Sequence, residues 1–166
     1  FNRPITVIRF NHLHTNYNYS FFQTRGLDQN SLDYLALKYC ELKKNTFALC
    51  LWPKAYAADK FKQADNIIKN SDAKVIYKKN LSLSFNGLRN LLLQIYSHDP
   101  WTGDYTNGFK GTDRKVDYVY AKKSKSCLYI IEVDSLDSMT KIKQAIRDAY
   151  DIGNDSVHST DNQAQP

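Results

Sequence analysis

The chain has little that would staple it covalently or anchor it. Its 166 residues include three cysteines, Cys40, Cys50 and Cys127, with no C-x-x-C pair. An odd, scattered set argues against a disulfide framework and leads us to expect reduced, mostly buried thiols in a reducing, cytoplasmic compartment. No apolar stretch approaches the ~20 residues of a membrane span, and the first residues do not form a signal peptide. There is no internal repeat, no low-complexity linker and no long basic tail. The start at Phe1 and the stop soon after His158 lead us to expect a processed or excised chain.

What is present suits one domain with a real core, or one domain plus an extension: 42% of residues are hydrophobic and 13% aromatic. The formal charge is +6 and the sequence pI about 9.1, a balance that favours polyanionic partners such as nucleotides, nucleic acid or an anionic surface. Lys and Arg are spread along the chain, so nucleic acid is neither excluded nor singled out.

Ile5 to Phe10 is rich in β-branched residues and predicts a strand. His12 and His14 then share one face of an extended segment, although a metal site needs a third ligand and none is near. Arg25-Gly26-Leu27-Asp28 signals a turn, and Asn30 or Ser31 caps a helix to about Lys44 that buries Leu32, Leu35, Tyr39 and Leu42. Near Lys43-Lys44-Asn45 a new unit begins, so residues 1–44 are expected to be an N-terminal extension and 45–166 the main domain. There, Thr46 to Trp52 is a nearly continuous apolar strand. Ala57, Phe61, Ala64 and Ile68 have helical spacing. Lys74 to Lys79 is a second strand, and Ser84 or Asn86 opens a helix burying Leu88, Leu91, Leu92 and Ile95. A Gly-rich polar loop runs to about Arg114, and Val116 to Tyr120 reads as a short extra strand. Cys127 to Val133 is a strong strand, Met139, Ile142, Ile146 and Ala149 mark a helix, and Ser156 to His158 is the last strand edge. Strands alternating with amphipathic helices predict an α/β (α+β) layer, a ferredoxin-like sheet of βαββαβ type with helices packed on it.

The chain ends in a constellation with chemical potential. Arg147 closes a helix-like run, Gly153-Asn154 makes a turn, and His158 follows between Ser, Thr and Asp residues. Neutral imidazole is a good nucleophile near pH 7. A neighbouring hydroxyl or carboxylate can fix its tautomer, and an arginine can clamp phosphate oxygens through two bonds.

In this tail, and in the order of its elements, the chain resembles nucleoside diphosphate kinases. Ile146-Arg147-Asp148-Ala149-Tyr150 is similar to that family's Ile-Arg-x-x-Phe/Tyr stretch. Asp155-Ser156-Val157-His158-Ser159-Thr160-Asp161 is similar to its Asn-x-x-His-Gly-Ser-Asp, with Asp155 in the Asn place and Ser159 in the Gly place. Thr46 to Lys54 resembles the first strand, Thr-Phe-Ala-x-Ile-Lys-Pro, with Lys54 after Pro53 where the family's Lys precedes it. Tyr96 and Pro100-Trp101 stand where the family has a Tyr near the phosphates and a Pro-aromatic pair. The likeness covers residues 45–161, about two-thirds of the chain. It implies a ferredoxin-like core and a nucleotide-binding, ATP-binding phosphotransferase. His158 would be the phosphorylated nucleophile, Arg147 a phosphate clamp, and Thr160 the residue supporting the His. Tyr96, Trp101, Lys54 and Asp155 would surround the nucleotide. It further implies Mg²⁺ bridging the donor phosphates, nucleoside di- and triphosphates as substrates, and a homo-oligomer.

Two other readings stand beside this one. Asp117, Glu132 and Asp134, with Gln144 and Tyr150, are similar to the acidic core of metal-dependent nucleases of the PD-(D/E)XK type, in which carboxylates on adjacent strands hold Mg²⁺. Here Asp134 occupies the place of the expected Lys. A non-catalytic basic module would instead use Gly103 to Gly111, with Arg114 and Lys115, to cradle phosphate through backbone N–H groups.

Overall fold

The computed structural model describes residues 28–57 and 61–161. The strand expected at Ile5 to Phe10, the pair His12 and His14, and the start of the turn at Arg25 lie outside the described residues.

Helix α1 (Gln29–Leu42) is capped by Asp28, whose carboxylate accepts from the Ser31 backbone N–H at 2.8 Å. The cap thus lies upstream of Asn30 and Ser31, because a carboxylate suits the positive end of a helix. Leu32, Leu35 and Tyr39 are buried as expected. Leu42 is 66% exposed, since the chain leaves helical geometry at Lys43 and turns into the sheet. Strand β1 (Thr46–Leu51) is followed by a short helix α2 (Pro53–Ala57), begun by a proline whose missing N–H costs nothing there. Helix α3 (Phe61–Lys69) buries Ala64 and Ile68, and strand β2 (Lys74–Leu81) follows. Ser84 caps helix α4 (Phe85–Ile95) by accepting from Gly87 N–H at 3.0 Å.

Helix α5 (Lys110–Val119) occupies much of the stretch expected to be loop and extra strand. Its buried residues, Thr112, Val116 and Val119, recur at helical intervals, and the two valines share a cluster with Leu88 and Leu92 of α4. That burial overrides the β propensity of two valines. Gly111 is required at its start: a Cβ there would lie 1.7 Å from the Trp101 carbonyl oxygen. Strand β3 (Ser126–Glu132), helix α6 (Leu136–Tyr150), capped by Ser135, and strand β4 (Val157–Ser159) complete the described chain.

The sheet order is β2-β3-β1-β4, and every neighbouring pair is antiparallel. Hence β1 and β2 run parallel with β3 between them, and β3 and β4 run parallel with β1 between them. These are the two interleaved crossover units of a ferredoxin-like α+β fold. Period-2 alternation separates the faces. Phe47, Leu49 and Leu51 of β1, Cys127, Tyr129 and Ile131 of β3, and Val157 of β4 form one core with α2, α3 and α6.

The opposite face is divided. At one end α1 packs on Ile76, Tyr77 and Ile130, a bulge between Val75 and Tyr77 having turned adjacent β2 residues inward. At the other end α4 and α5 pack with Cys50 and Trp52. Helix α1, which precedes residue 45, therefore shares the sheet with the rest of the chain. All three cysteines are free, with Cys50 and Cys127 buried. Among the described residues no helix is long and apolar enough to cross a membrane.

Candidate active site

Strand β4 has three residues and lies at the sheet edge, so its position depends on flanking bonds. Trp52 N–H donates to the Ser156 carbonyl at 2.9 Å. Beyond the strand, Thr160 N–H donates to the Ala48 carbonyl at 3.0 Å, and Ala48 N–H donates to Thr160 Oγ1 at 3.1 Å. Thr160 thus supports His158 through the backbone of the strand end, its hydroxyl being engaged with Ala48. Val157 and Ser159 point into the first core, and alternation turns His158, opposite Cys50, to the divided face.

Between α4 and the sheet that face holds a cavity of about 460 Å³. Ala48, Cys50, Leu91 and Leu128 give it an apolar floor, and His158, Tyr96, Asp99, Thr160 and Asp161 line its polar side. Tyr96, at the end of α4, brings its hydroxyl to 2.9 Å from His158 Nδ1, and the two rings meet edge to face at 4.9 Å. Burial, and next the positive charge of Lys143, lower the His158 pKa from 6.5 to about 4. Asp161 opposes the shift and Arg147 adds to it. His158 is therefore neutral near pH 7. Burial first, then Asp99, raises the Tyr96 pKa, so the phenol keeps its proton. Burial pushes the Cys50 thiol up to about 12, which excludes it as a thiolate nucleophile at the same wall.

Arg147 acts on this site by its charge, from the other layer. Helix α6 packs on the first face through Ile142, Ile146 and Tyr150. Lys143 and Arg147, one turn apart, share a different side of it. Lys143 Nζ lies 3.3 Å from the carboxylate of Asp161 at the cavity rim. Crossover topology makes α6 antiparallel to β4. One helical turn of about 6 Å matches the roughly 6.6 Å between alternate strand residues. Arg147 follows Lys143 by one turn and does not itself line the cavity. Its charge acts on both His158 and Tyr96. Its Nε is buried and has no hydrogen-bond partner among the described residues.

This chain is similar in fold to nucleoside diphosphate kinases. The enzyme from Halobacterium salinarum, solved in complex with CDP, matches at 11% identity over 71% of this chain and 78% of its own, with a TM-score of 0.48. The Aquifex aeolicus enzyme matches at 11% over 74% and 89%, with a TM-score of 0.48. The Pyrobaculum aerophilum enzyme matches at 14% over 74% and 91%, with a TM-score of 0.44. No family model and no curated protein matches the chain. The ferredoxin-like assignment rests on strand order and direction, and the site rests on the chain's own side chains.

The remaining site residues expected from sequence are not gathered at the cavity. Trp101 is 45% exposed beside it, with its indole N–H donating to Asp99 at 3.0 Å and its ring edge-on to Tyr96 at 5.0 Å. Lys54 is exposed on α2, outside the cavity wall. Asp155 is ion-paired with Lys115 at 2.5 Å and does not line the cavity either. Lys143 and Asp161 are the site features that sequence reasoning passed over as a pair. The signal was the i, i+4 spacing of Lys143 and Arg147.

The nuclease constellation lacks its geometry. Asp117 is exposed on helix α5, whereas that reading needs it on a strand. Glu132 accepts from the Tyr39 hydroxyl and lies 3.7 Å from Lys43. No group of three metal-ligating side chains occurs among the described residues. In the Gly-rich loop, Asp104 Oδ1 accepts from Thr106 N–H at 2.8 Å, and Asn107 Oδ1 accepts from the N–H groups of Asp104 and Phe109. Those N–H groups are consumed inside the loop, and Lys115 is tied to Asn154 and Asp155.

Proposed function

We propose that this chain is a nucleotide-binding phosphotransferase that takes the terminal phosphoryl group of a nucleoside triphosphate onto His158 and passes it to a diphosphate acceptor. The observation that carries the reading is a neutral, backbone-pinned His158 at a cavity, within electrostatic reach of an arginine with an unpartnered buried Nε. An unsatisfied guanidinium N–H is costly to bury, and a phosphate oxygen would satisfy it. The cavity volume, about 460 Å³, lies in the ordinary range for small-molecule sites. Trp101, half exposed and edge-on to Tyr96, would offer its exposed surface to a base.

Mg²⁺ fits as a companion of the nucleotide, since it is commonly held by one or two carboxylates plus substrate phosphates. Asp99 and Asp161 are the carboxylates at the rim. When bound, it would neutralise phosphate charge. The chain's own residues do the rest. Arg147 would orient the transferring group and stabilise its charge, His158 would attack through a ring nitrogen, and Tyr96 holds the ring. The apolar floor excludes water that would hydrolyse the adduct. A cytoplasmic location, consistent with three free thiols, and a homo-oligomeric state complete the proposal.

Incubation with a nucleoside triphosphate and Mg²⁺ should add one phosphate, stable in base and labile in acid. His158→Ala should abolish it. An unchanged intact mass with all common triphosphates would sink the catalytic reading. Nucleotide binding that persists without any adduct would favour the second reading, a binding module. The bond already occupying His158 Nδ1 favours that alternative.

A further inference from the structure

We infer that Lys143 is a phosphate-binding cation of this cavity, covered in the free chain by the carboxylate of Asp161, which an incoming phosphate displaces. The identity of the ligand rests on the phosphotransferase reading above. No lysine or arginine lines the cavity, whereas two carboxylates, Asp99 and Asp161, do. A phosphate entering such a site needs a cation brought to face it. Lys54 is exposed on α2 outside the cavity wall, so it does not serve. Lys143 Nζ lies 3.3 Å from Asp161 Oδ1 and meets the cavity only through that carboxylate. Both groups are delivered by well-held backbone. Helix α6 is anchored in the first core on either side of Lys143, by Ile142 and Ile146. Asp161 follows Thr160, whose N–H and hydroxyl are both bonded to Ala48.

The pair is unequal in a way that permits exchange. The Lys143 side chain is 15% exposed and that of Asp161 is 69% exposed. A largely buried ammonium needs an anion beside it, whereas an exposed carboxylate is well solvated by water. Their separation is also longer than the roughly 2.7–2.9 Å of a tight charge-assisted bond. A phosphate oxygen can therefore take the carboxylate's place on Lys143 while Asp161 turns outward. Phosphate carries more negative charge than one carboxylate, so the exchange strengthens the Coulomb attraction. The cation is also near the reacting group: its charge acts on the His158 imidazole more strongly than that of Arg147. During transfer a ring nitrogen of His158 forms the N–P bond, and the electron pair of the breaking P–O bond leaves with the nucleoside diphosphate. Lys143 neutralises charge on the moving group and gives up no proton.

The test separates anion binding from chemistry. Calorimetric titration of the full chain with inorganic pyrophosphate reads the first, and phosphate incorporation from a nucleoside triphosphate with Mg²⁺ reads the second. Lys143→Met should weaken pyrophosphate binding about tenfold or more, and Lys143→Arg should restore most of it. Asp161→Asn removes the competing carboxylate and should tighten pyrophosphate binding several-fold. A merely structural ion pair predicts the same sign for both variants, since each breaks one contact. Lys141→Met removes equal charge from the same helix, at a side chain 75% exposed and paired with Asp137, and should leave binding unchanged. Should Lys143→Met fail to fold, Asp161→Asn still decides, because its side chain lies mostly in solvent. Pyrophosphate binding that is absent from the unmodified chain, unmoved by Lys143→Met, not tightened by Asp161→Asn, or weakened equally by Lys141→Met overturns the inference. Opposite shifts in pyrophosphate binding with no phosphate incorporation by the unmodified chain strike the phosphotransferase reading and leave Lys143 as the anion-binding residue.

Discussion

The two faces of the sheet are built from alternate residues of the same strands and have opposite characters. The face under α3 and α6 is a closed core in which Leu49, Ile131, Met139 and Ile146 are fully buried. The other is covered by two separate groups of helices, α1 at one end and α4 with α5 at the other. The gap beside α4 is the cavity that receives His158. Full cover on one side lets the sheet tolerate incomplete cover on the other. A site needing a neutral imidazole, a cation and an opening to solvent then has somewhere to form.

The sharpest way to break this comparison is to delete side-chain volume on each face. Leu49→Ala should cost about 2–5 kcal/mol, the range for a buried leucine whose surroundings cannot collapse. Leu91→Ala, which faces the cavity, should cost nearer 1 kcal/mol, because its contacts are already incomplete. Denaturant unfolding of both variants measures the difference, and equal losses would mean that the second face is as tightly packed as the first.

Acid should sharpen the contrast next. The His158 pKa is lowered to about 4 in the folded chain from 6.5 otherwise. Between these values the unfolded chain binds the extra proton, so the contribution is complete above about pH 6.5. It falls as the pH drops and is exhausted near 4, with a swing of about 3 kcal/mol at most. Stability measured across this window should fall less in His158→Gln than in the unmodified chain, and identical curves would show that burial of this imidazole carries no penalty.

Smaller still is the effect of Arg147. Removing a cation near His158 should move its pKa back toward the ordinary imidazole value, as followed by proton NMR of the ring. Arg147→Ala should also slow phosphate incorporation while leaving the fold intact, since an unpartnered Nε contributes nothing to stability by hydrogen bonding. An unmoved titration would place the guanidinium farther from the imidazole than the electrostatics indicate. Least of all, Ser84→Ala at the α4 cap should cost about 1 kcal/mol, and would loosen the helix that delivers Tyr96.

Periodicity alone made the main strands legible, because β1 and β3 are buried on both faces and read as unbroken apolar runs. The helices α4 and α6 were legible as stripes, and their order predicts the ferredoxin-like sheet. His158 and Arg147 stood out by residue type beside a turn, and Tyr96 by its place after a helix. Other features were not readable locally. Val116 and Val119 have strand-like side chains, and only the surface of α4 made them helical. Asp155 and Lys115 look like phosphate-site residues until forty positions of chain fold to pair them with each other. Whether the charges of Lys143 and Arg147 act on His158 depended on a three-residue strand falling at the sheet edge, where Lys143 pairs with Asp161 at the cavity rim. Sequence carries period and residue type, which are local. Strand order and edge position are set by the packing of distant segments, and they decided which side chains share a cavity.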